Sequence, residues 1–185
     1  FRHDYNKVYD YYSEVLYQQA NEIAGTFAKD TLTPEYLSDI EADLKIVSEL
    51  NHTRIMFVSP FGDVMLDTGF SGTADFNGYL YELKDFDYGR LKGAHTQTGD
   101  LYGVFDETVV SAYFPIASNF TMKGYVVINM PETVITDRVY DTFNTNYLTL
   151  VIAMLLSLSM LVLYFIHIHK PINELTKATE EYGNC

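Results

Sequence analysis

Cysteine is nearly absent: the chain of 185 residues holds one, Cys185. An internal disulfide is therefore excluded, and whatever folds here is held by packing alone. Basic residues are also scarce, 12 Lys and Arg against 25 Asp and Glu, for a formal net charge of −13. A field of that sign repels nucleic acid and anionic lipid, which sets aside DNA or RNA as a partner and leaves cations or basic peptides as the favoured kind. Gly-x-Gly-x-x-Gly and Walker phosphate loops, His-Glu-x-x-His and paired cysteines are all missing. Asp85 and Asp87 lack the ordered spacing of an oxygen-ligand loop. No cofactor, metal or catalytic residue is expected in these residues, since scattered Ser, His and Asp carry no signal without geometry.

Charge of either sign is missing altogether from residues 142–169. Within that stretch, 147–166 is apolar apart from Thr149, Ser157 and Ser159. At about 1.5 Å per residue this makes roughly 30 Å of helix, the thickness of a bilayer's hydrocarbon core. A soluble helix would show a polar face, and a signal peptide would open the chain, so the stretch reads as a membrane anchor spanning 144–169. Tyr147 and Tyr164 sit near its two ends, and His167, His169, Lys170 and Lys177 follow it. That flank predicts a cytoplasmic tail. The charge agrees: residues 1–146 hold ten Lys or Arg against 22 Asp or Glu, whereas 170–185 hold two against three. Residues 1–146 are expected outside the membrane, with one domain of ordinary size over 1–143 and a cytoplasmic segment over 170–185.

The chain opens on Phe1 rather than Met. It reads as a piece of a longer protein, with an earlier membrane span expected just upstream. Tyr5, Val8, Tyr12, Leu16, Ala20, Ile23 and Phe27 step by three or four and predict one long amphipathic helix. A second helix is predicted from Thr33, with Pro34 at its first position, Glu35 at its positive end and Leu37, Ile40, Leu44 and Val47 as the buried stripe. The period then changes to that of strands. TRIMFVS (53–59) and VMLDT (64–68) flank Pro60-Phe61-Gly62-Asp63, a hairpin signal, and LYGVFDE (101–107), TVVSAYFPIA (108–117) and GYVVINM (124–130) read as three more strands. Between them lies a glycine-rich, irregular middle with one short helix expected over 75–83. The whole predicts an α+β domain with a five-stranded antiparallel sheet. Pro131 and Glu132 then open a helix that enters the membrane span without a break signal, one rod over about 131–168, roughly 57 Å long.

That order of elements resembles the extracytoplasmic single Cache (PDC, PAS-like) sensor domains of bacterial transmembrane receptors, especially those of sensor histidine kinases. RIMFVSPFGDVMLDT (54–68), VVSAYFPI (109–116) and GYVVINMPETVI (124–135) carry the resemblance, which covers most of residues 1–140. The tail HKPINELTKATEEY (169–182) is similar to the start of a HAMP linker, with Pro171, Ile172, Leu175, Ala178 and Tyr182 at the matching positions. Ile172, Leu175, Ala178 and Tyr182 also recur by three or four, as in a coiled-coil seam. One departure stands out: Cys185 falls where the family has glycine, and Gly183 comes two residues early.

The resemblance implies a bacterial cell-membrane location, a homodimer, and a ligand pocket on one face of the sheet closed by the irregular middle. Arg90, His95, Tyr102, Asp106 and Tyr113 fall in or beside that region. An Arg beside a Tyr suits a carboxylate, through bidentate hydrogen bonds. The alternative is that Arg90 and His95 sit in a solvated loop while Tyr102 and Tyr113 fill the core. The tyrosine-rich face of the first helix, Tyr5, Tyr9 and Tyr12, either meets a second protomer or covers the chain's own core. The function implied is sensing of a small-molecule or ionic ligand outside the cell and signalling across the membrane to a histidine kinase. The same input on a chemoreceptor or a cyclic-di-nucleotide synthase, and a non-signalling membrane-anchored surface domain, stay open as alternatives.

Overall fold

The computed structural model describes residues 2–27, 32–91 and 95–172. The chain divides into two compact units, Phe1–Asp137 and Arg138–Cys185. The first unit opens with helix α1 (Arg2–Phe27) and helix α2 (Pro34–Asn51). The strands that follow are β1 (Arg54–Val58), β2 (Asp63–Asp67), β3 (Tyr81–Glu82), β4 (Thr96–Gly99), β5 (Val109–Ser118) and β6 (Thr121–Pro131). They make one sheet, antiparallel at every pairing, in the order β3-β2-β1-β6-β5-β4.

The helical stripes dock on one face of that sheet. Leu16, Ala20 and Ile23 of α1 and Leu37, Ile40 and Leu44 of α2 are buried with Ile55, Phe57, Val110, Ala112, Val126 and Ile128. Val8, Tyr9, Tyr12 and Val47 pack at the margin. The stripe of α1 therefore covers the chain's own core, while Tyr11 stays 64% exposed. The start of α2 follows its sequence: Thr33 has extended backbone, its Oγ1 accepts from the Tyr36 amide at 3.3 Å, and Pro34 opens the helix. Side chains alternate along a strand, so the neighbours Met56, Val58, Val109, Tyr113, Tyr125 and Val127 form a second core on the other face. Burial on both faces is why these strands read as unbroken apolar runs.

The sheet has six strands rather than the expected five, and two expectations for the irregular middle are corrected. LYGVFDE is not a strand. Leu101, Tyr102 and Gly103 take consecutive left-handed conformations, and amide bonds from Val104 to Leu101 O and from Phe105 to Asp100 O close a tight knot. The strand there is instead the polar Thr96–Gly99, an edge strand paired with β5 alone and so without an apolar pattern. Nor is there a helix over 75–83. The Asp75 carboxylate accepts from the amides of Asn77 and Tyr79 at 2.8 and 2.9 Å, which makes a turn, and Tyr81–Glu82 joins β2 as the other edge. A bulge at Lys123 lets β6 close on β1 at Gly124, where a Cβ would overlap the carbonyl oxygen of Val58.

Helix α3 (Glu132–Tyr164) starts at the residue after β6. It continues through a π-helical turn, Phe165–His169, to Ile172, so 132–172 is helical throughout, past Pro171 and beyond the expected end of the rod near 168. This helix is long and apolar enough to cross a membrane, and none of its most apolar window is buried. The π turn has a local cause. Pro171 has no amide to donate and its ring crowds the carbonyl four residues before, while the Lys170 amide reaches back five residues to Phe165 O. Of the linker positions, Pro171 and Ile172 are described; Leu175, Ala178 and Tyr182 lie outside the described residues.

Candidate functional site

The sheet face opposite the helices is roofed by the irregular middle of the chain. Leu83 and Leu101 are buried there, and Phe86, Tyr88, Tyr102 and Phe105 pack against Tyr113 and Tyr125 of the strands. Tyr88 stacks on Tyr125 with ring centroids 4.5 Å apart, and meets Tyr113 edge-on at 6.4 Å. Phe86 lies edge-on to Tyr125 at 5.7 Å and to Tyr102 at 5.8 Å. Gly62, in the β1–β2 turn, makes the seat for Phe86: its φ is +101°, and a Cβ there would come 2.7 Å from the Phe86 Cβ. Burial pushes the Tyr113, Tyr88 and Tyr125 phenols above their ordinary range, so all three stay protonated and able to donate.

The expected site residues divide around this cluster. Tyr102 and Tyr113 belong to it, and the Tyr113 hydroxyl donates to Gln97 Oε1 over a long 3.4 Å. His95 sits at the rim, exposed, with its ring stacked on Tyr17 of α1 at 4.6 Å and its Nδ1 3.5 Å from the Tyr88 hydroxyl. Its carbonyl accepts from the Tyr113 amide at 2.8 Å. Asp106 is exposed in the turn beyond Phe105. Arg90 lies in a 3-10 turn, Tyr88–Leu91, and its side chain is outside the described residues.

The most densely bonded polar group on this face was not anticipated. The Asp67 carboxylate, fully buried, accepts from Arg54 Nε at 2.7 Å and Arg54 Nη2 at 2.6 Å, a bidentate pair. It also accepts from the Tyr81 hydroxyl at 2.5 Å and the Gly69 amide at 2.9 Å. The bond to Asp67 raises the Arg54 pKa against the opposing effect of burial, and burial followed by the same carboxylate holds Tyr81 well above the usual phenol range. The Arg54 guanidinium lies 5.0 Å over the Phe105 ring. Its signal in the sequence is opposite charge at the outer ends of two hairpin arms, since Met56 pairs with Asp67 and Arg54 shares the Met56 face. Asn129, fully buried opposite Arg54, donates from Nδ2 to Arg54 O at 3.2 Å, while its Oδ1 accepts nothing from the described residues.

The same roof touches the start of α3. The Glu132 amide donates to Thr108 O at 2.9 Å, and Thr133 Oγ1 to Glu107 Oε2 at 3.2 Å. One segment, 101–108, thus carries Tyr102 and Phe105 into the face and ends on the first turn of the exit helix. Among the described residues no three His, Cys, Asp or Glu side chains group to hold a metal. The rings, phenols and ion pair of this face pack against one another, with Tyr113 fully buried among them.

No family model matches the sequence, and no curated protein matches it. Among solved structures, the chain is similar to the sensor domain of the V. cholerae histidine kinase DctB, with a TM-score of 0.42 and 12% identity. The match covers 71% of this chain and 51% of that one, so it spans about half the length of that domain. At this score the likeness assigns neither family nor function.

Proposed function

We propose that the chain is the input region of a bacterial two-component sensor histidine kinase: an extracytoplasmic single Cache-type domain, one membrane helix and the beginning of a HAMP linker. One observation carries the reading. The first turn of α3 is bonded to the segment that roofs the aromatic face, and the same helix runs on without interruption through an uncharged, unburied stretch long enough for a bilayer.

In this reading, a ligand on the roofed face stabilises one placement of segment 101–108. The displacement passes to α3 through Thr108 and Glu107, and onward to the packing of linker helices in a homodimer. The ligand shifts the balance only by its difference in affinity for the two states. The α1 stripe is occupied by the sheet, so a dimer contact outside the membrane would use the opposite side of that helix, near Tyr11.

Topology and coupling are tested in cells. With Cys185 replaced by serine, Phe76→Cys is expected to react with a membrane-impermeant maleimide in intact cells; native Cys185 alone is expected to react only after permeabilisation. Single cysteines along α3 are expected to cross-link between protomers in a pattern that the stimulus changes. Labelling of both sites from one side, or a pattern indifferent to every active stimulus, overturns the reading.

A further inference from the structure

A cleft of about 190 Å³ lies between α2, β2 and the turn that follows β2. Its walls include Leu37 and Glu41 of α2, Leu66 of β2, and Phe70 and Leu80 of the turn that follows β2. That turn is a built lid. Asp75 ties it internally through Asn77 and Tyr79, the Leu80 amide fixes its end to Val64 O at 2.8 Å, and Gly78 rests on Pro34 so closely that a Cβ would lie 2.5 Å from the proline ring.

Two carboxylates line this space, and they differ in kind. Asp67 is neutralised by Arg54. Glu41 is half-buried and makes no ion pair or hydrogen bond with another described residue; Lys45, one turn along α2, is exposed and does not bridge to it. A half-buried carboxylate beside the partly exposed side chains of Phe70 and Leu80 is satisfied best by a cation that brings its own apolar surface. An anion would be repelled, and a neutral molecule would leave the charge uncompensated. Ca²⁺ and Mg²⁺ take six or more oxygen ligands, and among the described residues no three metal-ligating side chains group in this cleft. The space holds about six waters at roughly 30 Å³ each, less than the roughly 300 Å³ from which drug-sized pockets begin. The excess of acidic residues in 1–146 concentrates cations at the surface.

We propose that the cleft between α2, β2 and the 70–80 turn binds a small organic ammonium ion, its nitrogen on the Glu41 carboxylate and a hydrocarbon body of about five carbons against Phe70 and Leu80. Binding there is independent of any signalling role, and its test reads occupancy alone.

The test is hydrogen exchange of the full chain in lipid nanodiscs, with n-pentylammonium, n-pentanol and n-pentanoate at equal concentration and ionic strength. With a Kd of about 2 mM, about 20 mM pentylammonium is expected to slow exchange in 69–80 roughly tenfold, with pentanol weaker and pentanoate inert. Glu41→Gln is expected to fold normally, as read from unchanged exchange in β5 and β6, and to erase the advantage of the amine over the alcohol. Equal protection by amine and alcohol in the native chain, an amine effect that survives Glu41→Gln, or protection spread evenly over the chain overturns the proposal.

Discussion

Arg54 and Asp67 show how much one pair of residues organises. The pair joins β1 and β2 directly, reaches β3 through Tyr81, and reaches the roof through Phe105. Arg54→Met strands a buried carboxylate, and urea unfolding should register a loss of about 3–5 kcal/mol. Adding Asp67→Leu is expected to recover most of it, because the cost lies in the orphaned charge rather than in the missing attraction. The buried phenols make a second test. Tyr81 and Tyr113 hold their protons more tightly folded than unfolded. Stability is therefore intact below about pH 10, the ordinary phenol value, and falls above it by up to about 1.4 kcal/mol per pH unit for each phenol. Urea midpoints between pH 9 and 11 should show that decline, and Tyr113→Phe should make it shallower. Of these residues only Tyr113 stood out in the sequence. Arg54, Asp67 and Asn129 sit within or beside apolar runs, where nothing local shows that a charge or an amide is turned inward toward a partner far away in the chain.

Elements were legible where one period persists. The stripes of α1 and α2, the β1–β2 hairpin and the long β5 and β6 strands follow their patterns, because each buries a face whose geometry is set by local repeats. The middle of the chain was not legible. There a run with strand-like composition, LYGVFDE, is bent into a knot by left-handed residues, while a polar run, Thr96–Gly99, pairs along a sheet edge that demands no apolar face. Strand preference reflects packing context more than composition. Two substitutions probe these elements. Thr33→Ala removes the α2 cap and should lower stability by about 1 kcal/mol in thermal or urea unfolding. Gly124→Ala drives a methyl into the Val58 carbonyl, which forces the β1–β6 ladder apart; a loss of roughly 2 kcal/mol or more is expected, with faster amide exchange in both strands.

For the molecule as a whole, the sequence disclosed the apolar span and its continuity with the last strand, since absence of charge and absence of helix breakers are both local facts. The roof over the aromatic face was hidden, because it depends on contacts across dozens of residues. Val139→Pro tests whether the folded unit before Asp137 stands without the helix that follows. A proline inside a helix costs about 3 kcal/mol, so amides near 139–143 should lose protection while those of β5 and β6 keep theirs. The π turn at Phe165–His169 has a consequence of its own. One residue more than a regular turn is wound into that stretch, so Pro171 and Ile172 emerge about 100° around the axis from where an uninterrupted helix would present them. Any interface drawn by counting 3.6 residues per turn through the span would face the wrong neighbour, and removing a single residue between 165 and 169 would swing it back.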